Sequence, residues 1–201
     1  MNKLKAIACV GVALVAFFST AAEAQTTRFV RGTIAGLDGS VLSVKSRDGK
    51  DLKVNLADNA GVSTTRAITM ADIKPGAYVG VTATKRPDGT LVALEVQLFP
   101  AALRGVVREG HFPWALEPGS TMTNAAVSAV VQSAGGRDMT LDYKGGSQKV
   151  LVPEGVPMFT TVPADRSLLV PGADVFMGVQ VSADGKMSSS RVRVNKGGVR
   201  R

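Results

Sequence analysis

Cysteine and histidine are almost missing from the sequence. Among 201 residues there is one of each, Cys9 and His111. A zinc site needs several such ligands close together, and a single cysteine cannot form an intrachain disulfide. Calcium would need a regular set of oxygen ligands, and the spacing of Asp48, Asp51 and Asp58 does not provide one. We therefore expect no metal site and no cofactor, and a stability that comes from packing.

The sequence also lacks a long hydrophobic run. Its longest, Ala6–Phe18, is shorter than the roughly 20 residues that a membrane-spanning helix needs. Lys3 and Lys5 precede this run and Ala22-Glu23-Ala24 follows it, which is the pattern of a secretory signal peptide. We predict that residues 1–24 are a cleaved leader and that the soluble mature protein is periplasmic or secreted. An uncleaved membrane anchor is the alternative.

Helical periodicity is missing beyond the leader, and an alternation of period two takes its place. Asp-Gly pairs, which suit tight turns, separate several of the alternating runs. The first half therefore predicts five strands, at 29–37, 40–46, 51–56, 77–86 and 90–98. Their buried face is predicted to carry Leu42, Val44, Leu52, Val54, Leu56, Val79, Val81, Ala83, Val92, Leu94, Val96 and Leu98.

The second half repeats the first at an offset of 96 residues. Asp88-Gly89 corresponds to Asp184-Gly185, and Lys74-Pro75-Gly76 to Val170-Pro171-Gly172. A single period of this length indicates two copies of a domain-sized unit. The second unit predicts strands at Asn124–Val131, Met139–Tyr143, Lys149–Val152, Ala173–Val181 and Met187–Val194.

Each unit has three strands, a longer connection and two more strands, and in the first unit Thr69–Ile73 could form one helical turn. This is the element order of an OB-like barrel. We predict an all-β protein with two tandem OB-like five-stranded barrels, at 28–98 and 123–195, followed by a basic tail at 196–201. A flat five-stranded meander is the alternative for each unit.

Residues 99–122 interrupt the alternation between the units. They contain three prolines together with the only histidine and the only tryptophan, Trp114. A flexible linker would be poor in large apolar groups, so we predict an ordered bridge. His111, Phe112 and Trp114 could form one wall of a pocket, or Trp114 could close the seam between the barrels as a hydrophobic clasp.

The polar residues after the bridge form a second candidate group. Ser120, Thr121 and Asn124 could orient a sugar or a phosphate, or could cap backbone groups at the start of a strand. The formal net charge is +8, and the end of the chain contains Arg191, Arg193 and Lys196 without a nearby acid. These bases could favour an anionic partner or serve as a solvated tail.

Catalysis and nucleic-acid binding receive little support from the residues. His111 could activate Ser120, but neither an elbow motif nor an orienting acid accompanies the pair. Single-strand binders need aromatic residues grouped on their strands, and Phe29, Tyr78 and Phe176 are dispersed in the sequence. We therefore expect a non-enzymatic protein for which nucleic acid is not the partner.

Three segments of the first unit resemble a domain family of unknown function, the DUF5666 type. They are G-T-I-A-G-L-D-G-S-V-L-S-V-K-S-R-D-G-K, D-I-K-P-G-A-Y-V-G-V and R-P-D-G-T-L-V-A-L-E-V. The segments G-H-F-P-W-A-L-E-P-G-S-T-M-T-N-A and V-P-A-D-R-S-L-L-V-P-G-A-D-V-F are similar to an exported proteobacterial subset of that family. The resemblance implies an exported β-barrel protein and supplies no ligand, reaction or catalytic residue.

The leading hypothesis is a binding or interaction module of the bacterial cell envelope, with an unknown and possibly anionic ligand. Its recognition surface would be a cleft between the barrels, lined by His111, Phe112, Trp114, Ser120, Thr121 and Asn124, with Arg191, Arg193 and Lys196 nearby. A structural component that pairs through exposed sheet edges is the second hypothesis. A hydrolase that uses His111 is the third.

Overall fold

The computed structural model describes residues 26–195, so the predicted leader, the predicted tail and Lys196 lie outside the described residues. Twelve strands run through this part of the chain: β1 Thr26–Asp38, β2 Val41–Ser46, β3 Asp51–Ala67, β4 Tyr78–Lys85, β5 Leu91–Leu98, β6 Gly110–Pro113, β7 Thr121–Ser133, β8 Gly136–Tyr143, β9 Gly146–Pro153, β10 Met158–Ala164, β11 Asp174–Val181 and β12 Met187–Asn195. Within residues 26–195, no helical segment has the length and hydrophobicity that a membrane crossing requires.

Five of the strands form a closed barrel. β1, β2 and β3 form an antiparallel meander, and β11 pairs antiparallel with β1. β12 then pairs with β11 on one side and, in parallel, with β3 on the other, which closes the ring. We call this ring (β1, β2, β3, β11 and β12) the barrel. Its last two strands come from the second half of the chain.

A further five strands, β4, β5, β7, β8 and β9, form the second strand group. β4 pairs antiparallel with β5 and with β7, and β7, β8 and β9 follow as a meander. A short parallel pairing joins β5 to β9 through Leu91↔Val150 and Val92↔Leu151. This group therefore combines the last two strands of the first half with three strands of the second half.

β10 joins the barrel to the second strand group. It pairs antiparallel with the end of β3 and parallel with β5. At the centre of the first pairing, Thr65 lies opposite Thr161, the residue 96 positions later. The strands on the two sides of this seam are thus related by an approximate two-fold arrangement, and the sheet is continuous across it.

Each group has its own hydrophobic core, formed by the inward side chains of its alternating strands. In the barrel the core includes Ile34, Leu42, Val44, Val175 and Met177, and in the second strand group it includes Val79, Val81, Val127, Met139 and Leu141. The predicted face of β5 is wrong in its first half, where Leu91 and Ala93 are buried in place of Val92 and Leu94. A register shift between β4 and β5 at this point exchanges the two faces.

The connections after β3 and β10 contain short 3-10 turns. The first, Met70–Asp72, lies in the region predicted to be helical, and the second, Arg166–Leu168, lies 96 residues later. In the first turn the Asp72 carboxylate accepts the Thr69 backbone N–H at 2.8 Å. In the second the Asp165 carboxylate accepts the Ser167 N–H at 2.7 Å. The first turn leads from the barrel into the second strand group, and the second leads from β10 back into the barrel.

The all-β class and a five-stranded barrel are confirmed, but a second tandem barrel is not shown. Residues 28–98 do not close a barrel alone, and a second tandem barrel over residues 123–195 is not observed. The fourth and fifth strands of each half instead pair with strands of the other half. The alternating pattern buries the same side chains in either case, so it predicts strands correctly without specifying which copies pair.

Because strands of one half pair with strands of the other, we predict that the two halves stay together when the chain is cut. A protease site inserted after Gly105, in the loop between β5 and β6, should give fragments that elute as one species in size-exclusion chromatography. Each fragment lacks strands that the other supplies. Mass spectrometry verifies complete cleavage, and elution in denaturant is the control. Fragments that separate under native conditions would contradict the exchanged pairing.

Candidate functional site

A cleft of about 1610 Å³ lies where the outer face of the barrel meets the bridge and the second strand group. Small-molecule sites commonly enclose about 300–1,000 Å³, so this cleft is large enough for an extended ligand. The barrel contributes β1, β11 and β12, and the bridge contributes Trp114 together with apolar side chains such as Leu103 and Val107.

Three neighbouring strands place a row of side chains on the barrel side of the cleft. Arg31 on β1 lies opposite Phe176 on β11, and Phe176 lies opposite Arg193 on β12. Val30, Val175 and Val194, which precede or follow these residues, point into the core, so the row faces outward. The Arg31 and Arg193 guanidiniums lie 4.7 and 4.6 Å from the Phe176 ring centroid. The Phe176 ring therefore contacts one guanidinium from each of the two strands that flank β11.

The bridge adds its aromatic residues to this row. The Trp114 ring contacts Phe29 edge-on at 5.4 Å, and Phe29 stacks on Phe176 at 5.6 Å. Phe112 lies 6.4 Å from Trp114. We call these four residues the aromatic cluster. Arg31 also lies over the Trp114 ring at 4.9 Å, so Trp114 both packs on the barrel and lines the cleft.

The opposite side of the cleft uses the corresponding positions of the second strand group. Gly80, which is 96 residues before Phe176, pairs with Asn124 on one side and Gln97 on the other. Gln97 is in turn 96 residues before Arg193, and the Arg193 guanidinium donates to its side-chain oxygen at 3.1 Å. The cleft therefore has an arginine side and an amide side that meet at the seam.

Glycine at position 80 makes room for the amide side. A Cβ there would lie 2.7 Å from the Asn124 Oδ1 atom and 2.9 Å from the Phe99 ring. The Asn124 amide nitrogen donates to the Arg108 carbonyl at 2.7 Å. Its buried Oδ1 atom has no donor among the described residues, and the Trp114 Nε1–H group has no acceptor there. Both residues line the cleft with other atoms, because Asn124 Oδ1 and Trp114 Nε1 are themselves buried.

Positive charge dominates the cleft. Seven basic residues and two acidic ones line it: Arg28, Arg31, Lys45, Arg47, Arg108, Arg191 and Arg193 against Glu95 and Asp174. Burial and the repulsion of Arg47 lower the pKa of Arg31, and Glu95 partly offsets both effects. The Glu95 carboxylate is buried and accepts the Thr82 hydroxyl at 3.2 Å. An anion in the cleft would reduce the mutual repulsion of these cations.

The cleft contains five of the residues proposed from the sequence: Phe112, Trp114, Asn124, Arg191 and Arg193. The bridge and β7 supply the first three of these residues, and β12 supplies the two arginines. The recognition surface proposed from the sequence is therefore partly assembled, at a junction between a barrel and a strand group.

Three predicted residues, His111, Ser120 and Thr121, lie outside the cleft lining. The Ser120 hydroxyl donates to the Trp114 carbonyl at 2.6 Å, and the Thr121 hydroxyl donates to the Ala83 carbonyl at 3.3 Å. His111 Nδ1 lies 2.8 Å from the Thr123 hydroxyl. The Ser120 and Thr121 hydroxyls therefore bind backbone carbonyls, which is the capping role that the sequence left open, and His111 is occupied by Thr123.

Sequence reasoning missed Phe29, Arg31 and Phe176. All three are at outward positions of their strands, beside the core residues Val30 and Met177. A phenylalanine on the polar face of an alternating strand was the available signal, because such a position normally faces water. Nothing in the sequence pattern indicates that β1 and β11 are neighbours, so it could not be predicted that Phe29 and Phe176 contact each other.

No protein family model, curated protein or solved structure matches the chain. The resemblance to the DUF5666 type therefore remains a prediction.

Trp114→Ala is expected to destabilise the fold because it removes the contacts that fasten the bridge to Phe29 and Phe176. We expect a loss of about 1–3 kcal/mol in the free energy of unfolding, measured with urea. Val131→Ala, at an exposed position on β7, is the matched control and should change stability by less than about 0.5 kcal/mol. An unchanged stability in Trp114→Ala would contradict the clasp.

His111 is expected to make stability depend on pH. Burial lowers its pKa from 6.5, so the unfolded chain binds the proton more readily than the folded one. The contribution of His111 to the free energy of unfolding is present above pH 6.5 and is lost as the pH falls toward the pKa of the folded state. Between pH 7.5 and about 5, the wild type should therefore lose more stability than His111→Gln in urea titrations. Parallel curves for the two proteins would show that this histidine is not the cause.

Proposed function

We propose that the protein is an exported, non-enzymatic binding module of the bacterial cell envelope that holds an anionic ligand in the cleft. The excess of basic over acidic residues in the lining is the observation that carries the proposal. The leader pattern of residues 1–24 supports export. The size of the cleft supports a ligand larger than a simple ion.

The arginine side of the cleft suits recognition for a physical reason. A guanidinium that lies on an aromatic ring keeps its N–H groups in its own plane, where they can bind a carboxylate, sulfate or phosphate in a bidentate manner. Arg31 lies on two rings and Arg108 lies 4.2 Å from the Phe112 centroid. Ordering these side chains before binding reduces the entropy that binding costs.

Assembly through sheet edges remains the second proposal, but the described strands have few free edges. Among the described strands, β6 pairs on a single side and ends at Pro113, and the start of β1 (26–30) pairs with β11 alone. Proline and a short length are features that reduce edge-to-edge pairing. A hydrolase that uses His111 is favoured less, because the Ser120 hydroxyl donates to a backbone carbonyl and neither residue lines the cleft.

Native mass spectrometry of the protein, released gently from bacterial cell envelopes, tests the binding proposal. We expect the wild type to retain an added mass that the Arg31→Gln, Arg193→Gln double variant loses. The melting temperature of the variant is the control for folding. Two results together would contradict a binding module. Both proteins would show only the mass of the polypeptide, and Trp114 fluorescence would not change when envelope glycan or small-molecule fractions are added.

A further inference from the structure

The first residues of β1 have a free edge. Residues 26–30 pair with β11 on one side, whereas the pairing with β2 on the other side begins only after them. On the β2 side the Arg31 carbonyl accepts the Arg47 N–H at 3.0 Å. Because the backbone groups of successive residues point to opposite edges of a strand, those of Thr27 and Phe29 point to the same side as the Arg31 carbonyl. No described strand pairs with them there.

The second strand group contains the equivalent strand, β7. The Ile34 N–H on β1 donates to the Ala173 carbonyl at 2.9 Å, and the Val127 N–H on β7 donates to the Ala77 carbonyl at 2.8 Å. Ala77 is 96 residues before Ala173, so Ile34 and Val127 hold equivalent places in the two groups. Counted back from these two positions, residues 28–31 of β1 correspond to residues 121–124 of β7.

On β7 this edge is covered by a short strand from the bridge. β6 pairs antiparallel with residues 121–124 on the side away from β4, and Phe112 lies opposite Met122. Met122 is the residue that corresponds to Phe29 of β1. The protein therefore fills the edge of β7 with an extended segment, and among residues 26–195 no strand occupies the equivalent place on β1.

Phe29 gives this free edge an apolar contact point. The residue is 57% exposed, although its ring stacks on Phe176 and meets Trp114 edge-on. Residues that lie opposite each other in an antiparallel pair point to the same face of the sheet. An apolar side chain opposite Phe29 on an added strand would thus pack on its ring in the cleft, as Phe112 lies opposite Met122 in β6.

Three arginines give the same edge a positive charge. Arg28 and Arg31 are on β1, Arg47 follows the last residue of β2, and all three line the cleft. Within residues 26–195, neither Arg28 nor Arg47 forms a salt bridge. Two copies of the chain joined at this edge would bring these like charges together. The charge therefore favours an acidic segment of a different protein over a second copy.

We propose that an extended acidic peptide segment of a partner protein adds to the start of β1 as an antiparallel strand, in the place that β6 holds on β7. Its backbone pairs with Thr27 and Phe29, an apolar side chain packs on the Phe29 ring, and its carboxylates contact Arg28, Arg31 and Arg47. The inference rests on the proposed binding function and specifies the class of ligand.

Calorimetric titration of the purified protein with the blocked peptide acetyl-Glu-Thr-Glu-Glu-Phe-Glu-Glu-Thr-Glu-amide tests this inference. N-methylation of the central Phe and of the residues two positions away removes the N–H groups that pair with β1, so we expect binding to weaken about tenfold or more. N-methylation of the two residues that flank the Phe is the matched control. Their N–H groups point to solvent, and affinity should stay within about twofold. Replacement of every Glu by Gln should also weaken binding about tenfold or more.

A pair of protein variants tests the free edge from the other side. Thr27→Pro removes an N–H group that faces the edge and leaves the pairing of β1 with β11 intact, so it should weaken binding about tenfold or more. Thr27→Ala keeps the N–H group and should stay within about twofold. The melting temperature of each variant verifies folding. In the wild type, hydrogen exchange of the Phe29 amide, followed by nuclear magnetic resonance, should slow when the peptide is bound.

Several results would overturn the inference while leaving an anion-binding module. They are equal affinities for the two N-methylated peptides, an unchanged exchange rate of the Phe29 amide, and tighter binding of an eight-residue thymidine oligonucleotide than of the peptide. A dimer in light scattering that Thr27→Pro dissociates would show that a second copy occupies the edge instead. No binding of the peptide by a folded wild type would also overturn the inference, whereas the retained mass decides the broader proposal independently.

Discussion

The antiparallel pairing of β3 with β10 around Thr65 and Thr161 is the contact on which the arrangement of the strands depends. It joins the barrel to the second strand group, and it lies between the two parallel pairings that β3 and β10 make with β12 and β5. The surrounding side chains are fixed as well: Phe159 is buried, and the Thr160 hydroxyl donates to the Leu98 carbonyl at 2.9 Å. Loss of this seam would separate the two sides of the cleft.

Exchange of strands across the seam explains why the cleft has two chemically different sides. Positions 96 residues apart, such as Gly80 and Phe176 or Gln97 and Arg193, occupy equivalent places in the pairing. Because the seam brings these positions toward each other, a difference between the two halves becomes a difference across one site. Phenylalanine and arginine on the barrel give an anchored cation, whereas glycine and glutamine opposite them give space and amide groups. Proximity to the seam thus turns sequence divergence between the halves into two chemically different sides of one cleft.

Much of the fold could be predicted from the sequence because alternation and turn residues are local signals. The strands around Leu42, Val81 and Met177 and the turn at Met70–Asp72 follow from them. The partner of each strand could not be predicted, because pairing within a half and between halves buries the same residues. The same ambiguity limits prediction of the site. Trp114 could be proposed because it is the only tryptophan, but Arg31 and Phe176 become neighbours only through the pairing of β1 with β11.

The cleft depends on the pairing of β1 with β11 rather than with β4, the strand 96 residues before β11. Backbone nuclear Overhauser effects in isotope-labelled protein test it most directly, since paired strands bring their backbone protons within a few ångströms. The account predicts contacts from Arg31 and Gly32 to Phe176 and Val175. Contacts from Arg31 to Gly80 in their place would show that each half folds with its own strands, and the cleft as described would not form.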